Sequence, residues 1–385
     1  MNNFNFYNPV KILFGKGQIS AIAQEIPANA RVMLTYGGGS IKKNGVYDQV
    51  MAALKGQFIL EFSNIEPNPH YETLMQAVDI AKRQDISYLL AVGGGSVIDA
   101  TKFIVAAMAY EGDDPWDMLA KRAPVKSAVP FGAVLTLPAT GSEMNSGAVI
   151  TRASTKEKFS FSSPYTFPRF SVLDPETTFT LPLRQISNGV VDAFTHVLEQ
   201  YLTYPVNAPL QDRMAEAVLL TLKEEGPKAM QNPEDYDTKA NLMWCATMAL
   251  NGVIRVGVPT DWATHYIAHE LTALHGIDHA RTLAVVLPSL LRYKSEAKKE
   301  KLLQYGERIW GVNAGTEDER LEATLQATIS FFESMEIDTR LSDYEVGEDT
   351  VKTIVKRFQE RGVKDLGERS DIQVHDVEQI LMMSL

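Results

Sequence analysis

Cysteine is almost absent: the 385 residues contain one, Cys245. A single thiol excludes an internal disulfide, a cysteine-rich zinc site and a CxxC redox pair. Its neighbours Met243, Trp244 and Ala246 read as the inside of a helix, where a thiol is inert packing. Positive charge is also scarce. The 37 Lys and Arg face 48 Asp and Glu, for a net charge of −11, and basic pairs such as Lys42-Lys43 and Lys298-Lys299 stay short. Phosphate backbones need clustered cations, so a broad nucleic-acid footprint is excluded. Long apolar runs are missing too, none approaching the roughly 18 residues that cross a bilayer. The start, Met1-Asn2-Asn3-Phe4-Asn5, lacks the basic-then-apolar pattern of a signal peptide. A cytoplasmic protein with no membrane partner is the expectation.

What is present is an ordinary globular mix, 45% hydrophobic and 22% charged, in a chain long enough for two domains. The first half alternates short apolar runs with glycine clusters. Residues 31–36 read as a strand ending in Gly37-Gly38-Gly39-Ser40, and residues 86–92 as a second ending in Gly93-Gly94-Gly95-Ser96. A helical pattern over 71–83 lies between them, introduced by Pro67-Asn68-Pro69. A third apolar run, 129–137, leads into Thr140-Gly141-Ser142-Glu143. Strand, glycine turn and helix in repetition predict a parallel sheet flanked by helices. From Pro182 onward helical period dominates, as over 184–201, 211–222, 238–251 and 317–335. This predicts an all-α half. The boundary falls between Asp174-Pro175 and Leu181-Pro182, giving an α/β domain over 1–182 and a helical domain over 183–385.

Glycines that follow a buried strand and open a helix let backbone approach an anion, and the unpaired amides of the helix start point at it. A tight turn with no ligand would use the same glycines. Two such turns after successive strands favour a dinucleotide pyrophosphate, although neither matches GxGxxG. An NAD-type ribose is usually gripped by an acidic side chain. The first turn offers only Gly37, Gly38, Gly39 and Ser40, with Lys42 and Lys43 beyond, so NADP(H) is expected over NAD(H).

Six of the seven histidines lie in the second half, and five of them, His196, His265, His269, His275 and His279, fall near two helical segments. Asp192 and His196 are four residues apart, as are His265 and His269, and that spacing puts each pair on one helix face. A lone histidine on an apolar helix is usually a satisfied core residue. A carboxylate with several imidazoles instead suits a divalent transition metal, Fe(II) or Zn(II), and suits Ca or Mg poorly. Neither His196 nor His265 is followed by Glu, so no HExxH protease motif exists.

These residues resemble the iron-containing (group III) alcohol dehydrogenases, most nearly the branch of NADPH-dependent aldehyde reductases and butanol dehydrogenases. The resemblance runs through Ile12-Leu13-Phe14-Gly15-Lys16-Gly17, Pro67-Asn68-Pro69, Gly93 to Ser96 with Asp99 and Lys102, Thr140 to Glu143, Asp174-Pro175 and Asp192 to His196. It implies Asp192, His196, His265 and His279 as metal ligands. His269 would lie near the metal without ligating it and would help move protons. Cofactor contacts are implied at Gly38, Ser40, Gly95, Ser96, Thr136, Thr140, Asn145, Gly147 and Lys158, and the candidate cradle also takes in Gly37, Gly39, Gly94 and Asp99. Many members carry Pro-His-Gly at the last ligand, where this chain has Asp278-His279-Ala280. His275 is given no special role. The implied reaction is hydride transfer between NADP(H) and an aldehyde/primary alcohol pair. The alternatives are a polyol dehydrogenase of the same plan and a non-catalytic protein that binds dinucleotide and metal. A homodimer is expected, with residues 5–14 as an edge strand.

Overall fold

Strands whose side chains are apolar on both faces must be covered on both faces. That is the case for the central sheet in the computed structural model, which describes all 385 residues. The strands are Lys11–Phe14 (β1), Arg31–Tyr36 (β2), Phe58–Phe62 (β3), Tyr88–Gly94 (β4) and Phe131–Leu137 (β5). Gly147–Arg152 (β6) and Glu157–Ser162 (β7) then form a separate antiparallel hairpin, and Phe170–Leu173 (β8) returns to the sheet. The six sheet strands are all parallel, in the order β1-β8-β5-β4-β2-β3. Alternate residues of β4 feed two cores: Leu89 and Ala91 one, Leu90 and Val92 the other. Helices Tyr71–Arg83 and Gly95–Met108 fill the first core through Leu74, Val78, Ile98 and Phe103, and Val46–Ala53 fills the second through Val46 and Val50. In chain order these helices are α1 (Val46–Ala53), α2 (Tyr71–Arg83) and α3 (Gly95–Met108).

The remaining helices of eight residues or more are Leu183–Tyr201 (α4), Pro209–Gln231 (α5), Tyr236–Leu250 (α6), Ala263–His275 (α7), His279–Tyr293 (α8), Glu317–Ser334 (α9), Glu348–Glu360 (α10) and Val374–Met383 (α11). Helix α4 is buried without a break from Ile186 to Tyr201. It packs against α5 and α8, and α8 packs against α7. No helix is long and apolar enough to cross a membrane.

Residues 7–182 with 232–251 form one compact unit, and residues 1–6, 183–231 and 252–385 form the other. Helix α6 therefore groups with the sheet, where it packs on the short turns Ser142–Met144 and Pro175–Thr178. The strand over 31–36 and the helix over 71–83 stand where the sequence puts them. The other two anticipated strands begin two residues later than expected, at Tyr88 and Phe131. The edge strand expected over 5–14 is shorter: only Lys11–Phe14 pairs, with β8.

Candidate metal centre and cofactor turns

Because β2 and β4 are parallel neighbours, the turns Gly37–Ser40 and Gly93–Ser96 leave the sheet side by side at its carboxyl edge. The two need glycine for different reasons. A Cβ on Gly93, Gly94 or Gly95 would come within 2.6 Å of Val97, 2.9 Å of Leu137 and 2.4 Å of Thr140 respectively. In the first turn Gly39 has φ +90, and a Cβ on Gly38 would meet nothing within 4 Å. Helix α3 starts at Gly95 with no side-chain cap, so its first amides are available to an anion.

The second cofactor segment hangs on α3. Asp99 is committed on both oxygens: Oδ1 accepts from the Ser142 hydroxyl at 2.5 Å and Oδ2 from the Val149 amide at 2.8 Å. Lys102, fully buried, donates from Nζ to Ser142 Oγ at 2.8 Å, Asn145 Oδ1 at 2.9 Å and Gly147 O at 2.7 Å. Burial lowers its ammonium to about 8, against the pull of Asp99 and Glu143. Asn145 also donates to Gly141 O at 2.9 Å, and Thr140 Oγ1 accepts from Ser142 N at 3.2 Å. Lys158 donates to Asn68 Oδ1 at 2.8 Å, and the Asn68 amide donates to Ser96 Oγ at 3.4 Å. Lys158 and Ser96 thus converge on one turn. Thr136 lies nearly buried near the end of β5. Of the two lysines beyond the first turn, Lys42 is paired with Glu61 at 2.9 Å and lies over the rings of Tyr36 and Tyr47. Lys43 is exposed.

The histidine cluster lies in the helical unit. Asp192 and His196 occupy successive turns of α4, His265 and His269 successive turns of α7, and His279 opens α8. The donor atoms of Asp192, His265 and His279 all lie within 4.8 Å of one another. His196 stands beside this trio without joining it at that distance. Its Nδ1 is 3.6 Å from Asp192 Oδ1 and its ring centre 4.5 Å from that of His265. The ring of half-buried His269 is 4.8 Å from that of His279. His275 lies apart, exposed at the end of α7, with Nε2 3.0 Å from Thr350 Oγ1.

The donor set fits a cation. Asp192 Oδ1 and His196 Nδ1 are buried without a hydrogen-bond partner, and leaving such atoms unsatisfied is costly. Burial lowers His196 to about 4, which keeps its imidazole in the neutral, metal-binding form. One carboxylate with imidazoles suits Fe(II) or Zn(II).

Three neighbours of the cluster were missed in the sequence. Glu199 lies on the same face of α4, seven residues after Asp192, and contacts His265 Nδ1. That spacing was a readable signal. Trp262, the N-cap of α7, takes the left-handed conformation at φ 68 and sets its ring edge-on to His265 at 5.4 Å. Nothing in sequence marks it. Asp278, standing where proline is common, accepts from Arg184 Nε and Asn188 Nδ2, each at 2.7 Å, and so ties the start of α8 to α4.

Comparison with known proteins places the chain in a family. The model of the iron-containing alcohol dehydrogenase family matches residues 9–175, and that of the Fe-containing alcohol dehydrogenase family C-terminal region matches residues 186–385. The chain is 57% identical to the NADPH-dependent aldehyde reductase YqhD of Escherichia coli, over 97% of each chain. It is 42% identical to a probable NADH-dependent butanol dehydrogenase of Bacillus subtilis, over the whole of both. A crystal structure of the E. coli protein superposes with a TM-score of 0.98 at 55% identity, covering 100% of this chain and 99% of that one.

Proposed function

The chain belongs to the iron-containing alcohol dehydrogenase family, and from that premise we propose that it is an NADPH-dependent aldehyde reductase working at the Asp192–His265–His279 cluster. The observation that carries the reading is the convergence of those three donors around a buried, unpartnered carboxylate oxygen. Asp192, His196, His265 and His279 would hold one divalent ion, Fe(II) or Zn(II). When bound, the ion polarises a carbonyl oxygen and the nicotinamide supplies hydride.

The residues do the rest. The uncapped start of α3, with Ser96, Asn68 and Lys158, binds the pyrophosphate. Lys102 holds Asn145 and Gly147 in place, and Asp99 holds Ser142 and Val149, rather than reaching out themselves. The open surface over Gly38, with Ser40 and the cation of Lys43, accepts a 2′-phosphate, while Lys42 stays with Glu61. His269 delivers a proton to the product alcohol oxygen. The proposal extends to a cytoplasmic homodimer, supported by a buried cysteine without a disulfide and by β1 as an edge strand. Steady-state kinetics with short-chain aldehydes and polyols test the reading, each with NADPH and NADH. Higher kcat/KM for aldehydes with NADPH is expected. Equal or better use of NADH would remove the cofactor argument, and turnover of polyols alone would remove the substrate assignment.

A further inference from the structure

Glu199 is 3% exposed and faces the start of α7. Its Oε1 accepts from the Thr264 amide at 2.7 Å, and its Oε2 accepts from the His265 amide at 3.3 Å and meets His265 Nδ1. Helix α7 has no cap from its own N-cap side chain. A carboxylate here satisfies two orphan amides and complements the positive end of the helix. A cap explains the two amide bonds. It does not explain the imidazole.

With Nδ1 engaged by Glu199, the nitrogen that His265 presents to Asp192 and His279 is Nε2, on the far side of the ring. An outer carboxylate that fixes the tautomer and plane of a ligating histidine is a recurrent device of metal sites. The backbone of Glu199 is itself braced. The Glu199 carbonyl accepts from the Asp261 amide at 2.8 Å, and Asp261 Oδ2 pairs at 2.8 Å with buried Lys298, which also holds Glu368 Oε2 at 2.8 Å.

We propose that Glu199 is the positioning residue of the metal centre, holding His265 with Nδ1 protonated and Nε2 aimed at the ion. The inference rests on the metal reading of the cluster.

The test is Co(II) titration of full-length protein after chelation, followed by d–d absorption and by competition with a chromophoric chelator. NADPH affinity and Tm are measured alongside. Glu199→Gln keeps the size but turns an NH2 group toward amide donors, and Glu199→Asp keeps the charge but withdraws it by one methylene. Both variants are expected to bind Co(II) about 10- to 100-fold more weakly, the usual effect of losing an outer-sphere partner, with NADPH affinity unchanged. If Gln does not fold, Asp decides alone. Co(II) affinity within twofold of wild type, with only Tm lowered, would reduce Glu199 to a helix cap and overturn the inference. Wild-type protein that takes up no Co(II) would overturn the metal reading, and this inference with it.

Discussion

At the scale of single residues, the cluster combines buried groups that a bound ion would satisfy. Asp192 Oδ1 and His196 Nδ1 are buried without a hydrogen-bond partner, next to His265 and His279. His265→Ala should therefore abolish metal uptake and reduce kcat by more than the ~100-fold typical of an outer-sphere loss. NADPH affinity, read by nucleotide fluorescence, should survive. Loss of cofactor binding instead would mean that the residue serves the fold. A second residue, Lys239, makes a pH argument. It is 3% exposed, bonds only to Thr178 O at 3.3 Å, and burial lowers its ammonium to about 8. Between pH 8 and the ordinary lysine range near 10.5 the unfolded chain binds the extra proton, so stability rises with pH across that window. Lys239→Met should be more stable than wild type at pH 7, with the advantage shrinking toward pH 10, as denaturant midpoints would record. An advantage that did not change with pH would point to packing instead.

At the scale of elements, what was legible followed from periodicity. The i,i+4 pairs Asp192/His196 and His265/His269 lie on α4 and α7 as their spacing requires. What was not legible depended on context. Strand β3 is half exposed at a sheet edge and carries Glu61, held down to about 2 by the hydroxyls of Tyr36 and Tyr47 and by Lys42. Its apolar run, Phe58-Ile59-Leu60, is short and interrupted by Glu61. Helix α5 outran its expected end at 222 because it continues through Gly226 and Pro227 to Gln231, residues that ordinarily punctuate a helix. Gly226 has a packing reason: a Cβ there would lie 2.9 Å from Val190 Cγ1, two residues before Asp192 on α4. Gly226→Ala should destabilise the fold by about 1–3 kcal/mol through overpacking. The denaturant midpoint should fall with the m-value unchanged. No change in midpoint would show that α4 and α5 separate freely at this crossing.

At the scale of the molecule, the α/β-then-α plan was readable because the first half repeats strand, glycine turn and helix while the second keeps to helical period. The grouping of α6 with the sheet was not, since it depends on partners remote in sequence. Thr247 Oγ1 donates to buried Glu143 at 2.5 Å, and Asn145 Nδ2 to Leu250 O at 3.3 Å. His279 was reached only through the family resemblance, since no spacing shows that the tie between Asp278 and α4 brings it to Asp192. The central claim is that this cluster is a metal centre on which aldehyde reduction depends. The most direct measurement is NADPH oxidation with a short-chain aldehyde, before chelation, after it, and after adding back Fe(II) or Zn(II). The account predicts that turnover disappears with the metal and returns with it. Undiminished turnover by protein shown to be free of metal would contradict it.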